Sequence, residues 1–139
     1  MSQEKTVFER IAAGEIPARI VYQDDVAIAF LDRSPNHPGH TLVVPRAPHA
    51  NIFELPDDVA AHIFVVAKKV AAAVKTAVGA EGINIVMNNG EAAGQDVFHS
   101  HIHVIPRHPN DGGYRGLHNA YANDAEADAV AEKIRVALA

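Results

Sequence analysis

Three histidines alternate with other residues in HSHIHVI, residues 99–105. Side chains along a β-strand point alternately to the two faces of its sheet. In a strand over Ser100–Pro106 the histidines would therefore share one face, while Ile102 and Val104 would point to the other. The pattern predicts a strand that is anchored in the core by its apolar residues and presents a row of imidazoles on the opposite face.

Four further segments are rich in the β-branched, aromatic or alternating apolar residues that are typical of strands. They are Ala18–Gln23, Val26–Asp32, Thr41–Pro45 and Ile83–Asn88. The pair Asp24-Asp25 separates the first two segments and predicts a tight turn. These two segments are therefore expected to form an antiparallel hairpin.

Helical patterns occur at three places. Thr6–Glu9 fits a capping box, which predicts a short helix that Gly14 ends. Pro56 opens a long run with apolar residues at helical spacing, and Gly79 ends it. Asp124 is expected to cap a third helix near the C-terminus.

One long helix among five strands does not fit the regular alternation that a parallel sheet requires. We therefore predict an α+β fold, with a five-stranded antiparallel sheet, one long central helix, and short N-terminal and C-terminal helices. The 139 residues suffice for one domain, 1–139. Its core is expected at 6–108, followed by a C-terminal extension with a helix at 109–139.

The composition argues against several classes of protein. The net charge is −5 and no dense run of Lys or Arg occurs, which argues against binding to a nucleic-acid polymer or an anionic membrane. The sequence has no cysteine, so disulfides and thiolate catalysis are excluded. Because the longest apolar run, Ile63–Ala67, cannot span a membrane and no signal-peptide pattern is found, a cytoplasmic protein is expected.

The row of histidines allows three interpretations. A solvated histidine-rich edge is disfavoured, because β-branched residues suit a sheet better. A metal site built from His99, His101 and His103 would need further ligands, and the nearby carboxylates are limited to Glu91 and Asp96. The third interpretation is attack on phosphorus by a neutral imidazole, which is abundant near neutral pH and needs no deprotonation.

Residues 94–105, GQDVFHSHIHVI, resemble the signature of the histidine-triad (HIT) family, His-x-His-x-His followed by apolar residues. The resemblance covers residues 6–108. It includes EIPA at 15–18, FLD at 30–32, HTLVVP at 40–45 and NNG at 88–90. Within the family the chain is similar to the Hint-like branch, the nucleoside phosphoramidate hydrolases and their bacterial relatives.

This resemblance implies roles for individual residues. His101 would be the nucleophile that attacks the α-phosphate, with its ring oriented by a backbone carbonyl near His99. The implied catalytic residues are His101, His103, His99, His40 and Gln95, with His103 and His40 at the phosphate or leaving group and Gln95 at the scissile bridge. The implied nucleotide-binding residues are Asp32 at the ribose, Asn88, Gly94 and Asp96 at the phosphate, and Phe8, Ile11 and Phe30 at the base.

The resemblance also implies an activity. The protein would hydrolyse purine nucleoside phosphoramidates, conjugates of AMP or GMP, through a covalent nucleotidyl-histidine, and would release the nucleoside monophosphate. It would need no cofactor and would form a homodimer. Two alternatives stay open: a dinucleoside polyphosphate hydrolase, and a purine-nucleotide-binding regulatory protein with vestigial catalysis.

The sequence departs from its relatives at two places. Many bacterial members bind structural zinc through Cys-x-x-Cys and two histidines. Here Thr6 and Glu9 stand at the cysteine positions, with His49 and His99 at the histidine positions, so we expect no metal. Asp96 stands where the Hint-like branch usually has serine, and we expect its carboxylate to point away from the phosphate, since like charges repel.

Overall fold

The computed structural model describes residues 4–115 and 117–139. Its sheet consists of β1 (Ile20–Gln23), β2 (Ala27–Leu31), β3 (Thr41–Pro45), β4 (Gly82–Val86) and β5 (Ile102–Arg107). The strands lie in the order β1-β2-β3-β5-β4, and every neighbouring pair is antiparallel. The predicted α+β fold is confirmed, and the strand that carries the last histidine of the motif lies inside the sheet, between β3 and β4.

Three α-helices accompany the sheet: α1 (Val7–Ala12), α2 (Asp57–Val78) and α3 (Asp124–Leu138). The predicted capping box is present, because Thr6 and Glu9 exchange side chain-to-backbone hydrogen bonds at the start of α1. Gly79 ends α2 with a φ of 65°, a left-handed conformation that glycine adopts without strain. The predicted cap of α3 was wrong by one residue: the side chain of Asn123, not Asp124, accepts the N–H of Glu126. Among the described residues, no helix has both the length and the apolar composition that crossing a bilayer requires.

The alternation of side chains along the strands creates a core on each face of the sheet. On one face, Ile102 and Val104 pack in a cluster with apolar residues of α2 and α3. On the other face, Phe30 and Leu42 pack with residues of α1. His103 pairs with Leu42 in the sheet and therefore lies on the α1 face, opposite its apolar neighbours, as the alternating pattern predicts.

Seven strand ends differ from the prediction by one or two residues, and two of these differences affect the site. Strand β4 ends at Val86 rather than at Asn88, and β5 begins at Ile102 rather than at Ser100. Ser100 instead donates both its backbone N–H (2.7 Å) and its hydroxyl (2.9 Å) to the carbonyl oxygen of His49. His99 and His101 consequently lie in the segment that leads into the strand, because this segment bonds to a loop and not to a neighbouring strand.

Candidate active site

The middle histidine of the motif is held in one orientation. Nδ1 of His101 lies 2.7 Å from the carbonyl oxygen of His99. Because a carbonyl only accepts, Nδ1 carries the proton, and the lone pair of the neutral ring is at Nε2. The ring is 3% exposed and meets Phe8 edge-on, with the ring centroids 5.1 Å apart. Nε2 is therefore the ring nitrogen that is available for nucleophilic attack.

The side chain of His99 is fully buried and bonded at both nitrogens. Nε2 donates to the carbonyl oxygen of Pro45 at 2.6 Å, so Nδ1 accepts from the hydroxyl of Thr6 at 2.7 Å. Burial lowers the pKa of His99, which keeps this ring neutral. The side chain therefore offers no free polar atom to a substrate. The backbone carbonyl of His99 accepts the bond from Nδ1 of His101, the orienting contact that the resemblance implies.

His40 and His103 form a second, directional pair. Nδ1 of His40 accepts the backbone N–H of Asn36 at 3.1 Å, so Nε2 of His40 carries the proton and donates to Nδ1 of His103 at 3.0 Å. Burial, the largest cause, lowers the pKa of both His40 and His103 to about 4. Both rings are therefore neutral at pH 7, and the remaining N–H of His103, at Nε2, is available to a substrate oxygen.

Asp32 lies beside this pair. Its Oδ1 accepts the N–H of Ser34 at 2.9 Å, and its Oδ2 lies 3.5 Å from Nε2 of His40. Burial raises the pKa of the Asp32 carboxyl. The carboxylate keeps acceptor capacity beyond the turn that it caps, so the residue is both a turn former and a candidate binding group.

Asp32, His40 and His103 also have the residue types of a metal site, and one ligand atom of each lies within 4.8 Å of the others. A histidine that binds a metal through one nitrogen usually donates the proton of the other nitrogen to an acceptor. Nδ1 of His40 faces a donor instead, the N–H of Asn36. The observed geometry therefore fits a hydrogen-bonded network better than a metal centre.

The residues at the family's zinc positions do not fit that metal either. The Thr6 hydroxyl bonds to His99 and accepts the N–H of Glu9, while the Glu9 carboxylate accepts the N–H of Thr6 at 3.0 Å. These groups satisfy one another, and a hydroxyl is a far weaker zinc ligand than a thiolate. Hydrogen bonds join α1 to the histidine motif at this position.

Gln95 also differs from its implied role. The side chain is buried, its oxygen accepts the N–H of Gly90 at 2.8 Å, and its nitrogen donates to the carbonyls of Ala50 (2.5 Å) and Val97 (2.9 Å). The amide therefore has no free group for a scissile bridge. Gln95 fixes the turn that precedes the histidines, so these bonds give its side chain a role in positioning that loop.

A cavity of about 780 Å³ lies next to the histidines. Six residues that the sequence implicates line it: Asp32, His40, Asn88, Gly94, Asp96 and His103. Three more lining residues, Tyr114, Arg115 and His118, come from the C-terminal extension, and no role was predicted for them. These three residues belong to no sequence motif. The one local signal is the turn-forming run DGG at 111–113, which predicts a loop but not where that loop packs.

The expected position of Asp96 is wrong. Its Oδ1 lies 3.8 Å from Nε2 of His101, and the side chain is 83% exposed, so the carboxylate faces the nucleophile instead of pointing away. Asp96 therefore places a negative charge at the position where a phosphate would approach His101.

The residues implied at the base are buried. Phe8, Ile11 and Phe30 are 6%, 5% and 3% exposed and belong to the apolar cluster under α1. Phe8 contacts Phe30 as well as the rings of His99 and His101. These side chains therefore form an apolar layer behind the histidine rings. Their contact with a nucleotide base stays a prediction.

The fold and the site define an α+β protein in which alternating histidines lead into an interior strand beside a polar cavity. The chain belongs to the histidine-triad (HIT) family, since the model of the HIT domain matches residues 13–110. It is 40% identical over 121 residues to the Protein hit of Bacillus subtilis, covering 87% of this chain and 83% of that protein.

Two other relatives are informative. The chain is 38% identical over 109 residues to Adenylylsulfatase HINT3 of Arabidopsis thaliana, covering 78% of this chain and 55% of that protein. The crystal structure of a hypothetical histidine triad nucleotide-binding protein from Sulfolobus tokodaii superposes with a TM-score of 0.86 at 31% identity, covering 94% of this chain and 90% of that one.

Proposed function

We propose that this protein hydrolyses purine nucleoside phosphoramidates at the α-phosphate through a nucleotidyl-histidine at His101. Nε2 of His101 attacks phosphorus, the P–N bond breaks, and the amine leaves with a proton taken from solvent. Water then attacks phosphorus, the P–Nε2 bond breaks, and the nucleoside monophosphate leaves while the second proton of the water passes to solvent. The observation that carries the proposal is the bond from Nδ1 of His101 to the His99 carbonyl, which leaves the lone pair at Nε2.

The neighbouring histidines suit the phosphate in this reaction. The chain of hydrogen bonds from Asn36 through His40 leaves His103 with an N–H at Nε2, as a neutral donor beside the cavity. The rings of His101 and His103 are adjacent, with centroids 5.0 Å apart. A donor held at this distance from the nucleophile can stabilise charge on the phosphate oxygens as the new bond forms.

The cavity offers groups for the rest of a nucleotide. The Asp32 carboxylate is an acceptor for ribose hydroxyls, and Asn88 with the backbone at Gly94 lies on the same cavity wall for the phosphate. A volume of about 780 Å³ is within the usual range for small-ligand sites. The names of the relatives, one an adenylylsulfatase and one a nucleotide-binding protein, support a nucleotide substrate.

His101→Ala tests the proposal. We expect the variant to lose at least about 1,000-fold in the rate of AMP release from an adenosine phosphoramidate, the scale at which a nucleophile contributes. It should still bind AMP, because the cavity walls are unchanged. His108→Ala is the matched control, since its backbone N–H and not its ring bonds to Asp111. A wild-type protein that binds AMP but releases no product would identify a regulatory nucleotide-binding protein instead.

We also propose that the active form is a homodimer. Strand β4 is an edge of the sheet, and its Ile85 is 45% exposed. Phe64 and Val65 of α2, the helix on the same face as Ile85, are 40% and 52% exposed. Unpaired edges and exposed apolar side chains favour association with a second chain. Light scattering tests this proposal. We expect the wild-type protein to be a dimer and Ile85→Asp to be a monomer.

A further inference from the structure

The C-terminal extension contributes part of the wall around the proposed substrate site. Tyr114, Arg115 and His118 line the same cavity as His40 and His103. These residues follow β5 and precede α3, and they belong to the same chain as the histidines. The cavity is therefore completed by a segment that lies outside the histidine motif.

The segment is tied down on the N-terminal side of Arg115 by Asp111. This carboxylate accepts two hydrogen bonds from the Arg107 guanidinium, at 3.0 and 2.8 Å, and two more from the backbone N–H groups of His108 and Gly113. The same guanidinium lies 5.6 Å from the centre of the Tyr114 ring. These contacts anchor the start of the segment to the end of β5.

On the C-terminal side, the segment packs on the loop that precedes His40. The Asn36 side chain donates to the carbonyl of Leu117, and Asn119 bonds through its backbone to Pro35 (3.0 Å) and through its side chain to the carbonyl of Asn36 (2.7 Å). The hydroxyl of Tyr121 accepts the N–H of Gly39 at 2.9 Å. Arg115 therefore lies between two parts of the extension that are each held to the rest of the protein by hydrogen bonds.

The charges around the cavity give Arg115 a particular importance. Asp32 and Asp96 contribute carboxylates, while His40 and His103 are neutral at pH 7. Among the described residues that line the cavity, Arg115 is the one whose side chain is permanently cationic. A nucleotide conjugate with an anionic leaving group brings two adjacent negative groups into a site that otherwise repels them.

We propose that Arg115 is a specificity-determining residue that favours conjugates with a negatively charged leaving group over those with a neutral amine. This inference rests on the proposed function, because it concerns the group that His101 displaces. The positive charge of the guanidinium attracts a sulfate or phosphate leaving group, whereas a neutral alkylamine offers it neither a charge nor an acceptor.

The experiment compares kcat/KM for adenylyl sulfate with kcat/KM for an adenosine phosphoramidate of a neutral alkylamine. We expect Arg115→Ala to lower the ratio of the two values by about fivefold, the upper end of the range for one exposed ion pair. Arg115→Lys should retain most of the ratio, since it keeps the charge. Lys133→Ala, which removes an exposed cation on α3, should leave the ratio within about twofold, and added salt should weaken the effect of Arg115.

Three results would overturn the inference while leaving the reaction at His101 intact. They are an unchanged ratio in Arg115→Ala, an equal fall in Arg115→Lys, and a wild-type protein that cleaves the phosphoramidate but not adenylyl sulfate. A wild-type protein that cleaves neither compound would overturn the proposed function, and this inference with it.

Discussion

The hydroxyl of Thr6 donates a hydrogen bond to Nδ1 of His99, with the two atoms 2.7 Å apart. Thr6 is the N-cap of α1, and His99 is the residue whose carbonyl orients His101. The first helix and the proposed nucleophile are therefore connected through two hydrogen bonds and one buried ring. The same hydroxyl also accepts the N–H of Glu9, so one side chain serves both the helix cap and the site.

Thr6→Val should test this connection, because valine keeps the shape of threonine but lacks its hydroxyl. The variant loses the N-cap acceptor and leaves Nδ1 of the buried His99 without a donor. We expect the free energy of unfolding in urea to fall by about 1–3 kcal/mol. Thr6→Ser retains the hydroxyl and should recover most of this loss. Equal stability of wild type and Thr6→Val would show that the bond contributes nothing.

The pair His40 and His103 predicts a loss of stability in mild acid. Each folded pKa is about 4, whereas a solvated histidine titrates near ~6.5. As the pH falls through 6.5, these histidines become protonated in the unfolded chain but stay neutral in the folded chain. Their contribution to the free energy of unfolding is therefore complete above about pH 6.5 and is lost between about pH 6.5 and pH 4. Each histidine contributes a slope of up to about 1.4 kcal/mol per pH unit in this window.

His40→Asn is the variant that checks this account. The Asn side-chain oxygen can still accept the N–H of Asn36, but one titrating group is gone. Urea unfolding measured from pH 8 to pH 4.5 should give a shallower slope for the variant, with about one proton fewer taken up on unfolding. Parallel curves for wild type and His40→Asn would contradict the lowered pKa of this residue.

Asp24 predicts a separate acid effect at lower pH. Its carboxylate accepts from the Tyr22 hydroxyl (2.7 Å), Nε2 of His62 (2.7 Å) and the backbone N–H groups of Val26 and Ala27, which tie the β1–β2 turn to α2. Despite the opposing effect of burial, the largest single cause, these bonds hold the pKa of Asp24 far below its usual value. The stabilisation is therefore present above about pH 4 and is lost as the pH falls below it.

Asp24→Asn should lower the free energy of unfolding at pH 7 by about 1–3 kcal/mol, because the amide cannot accept as many hydrogen bonds. It should also reduce the acid sensitivity below pH 4. Its neighbour Asp25 is exposed, and Asp25→Asn should change stability by less than about 0.5 kcal/mol. The same loss in both variants would mean that net charge, and not the bonds of Asp24, is responsible.

Asp96→Ser distinguishes two roles for the carboxylate near the nucleophile. If it repels the phosphate, as its position 3.8 Å from Nε2 of His101 indicates, the serine variant should raise kcat/KM for an AMP conjugate by about fivefold. If the residue instead donates a proton to the leaving group, the variant should slow the reaction. Steady-state kinetics on a phosphoramidate with Asp25→Asn as the control separates the two.

Much of the fold was predictable because its signals are local. The apolar composition of β2 and β3, the alternation along β5, the capping box at Thr6 and the glycine that ends α2 each depend on residues close together in the chain. The same locality explains the errors at strand ends. The alternation of residues 99–103 continues beyond the sheet, since Ser100 bonds to the loop at His49 and not to a strand.

The site was predictable only in its motif residues. The resemblance pointed to His40, His101 and His103, whose rings the structure brings together, and to a carbonyl near His99 that orients His101. It also implied that Gln95 lies at the scissile bridge, although the Gln95 side chain is bonded within the protein. The part supplied by Arg115 and His118 depends on contacts between Asn36 and Asn119, which are far apart in sequence. No periodic pattern marks such a contact, so the sequence alone did not place the extension at the cavity.

Mass spectrometry of the protein quenched in acid-free denaturant during turnover of an adenosine phosphoramidate tests the central claim most directly. We expect a fraction of the protein to carry one added AMP moiety, on the peptide that contains His101, and we expect none in His101→Ala. The claim would be contradicted by an adduct on a peptide that does not contain His101. It would also be contradicted if wild type turned over with no adduct and His101→Ala kept its activity.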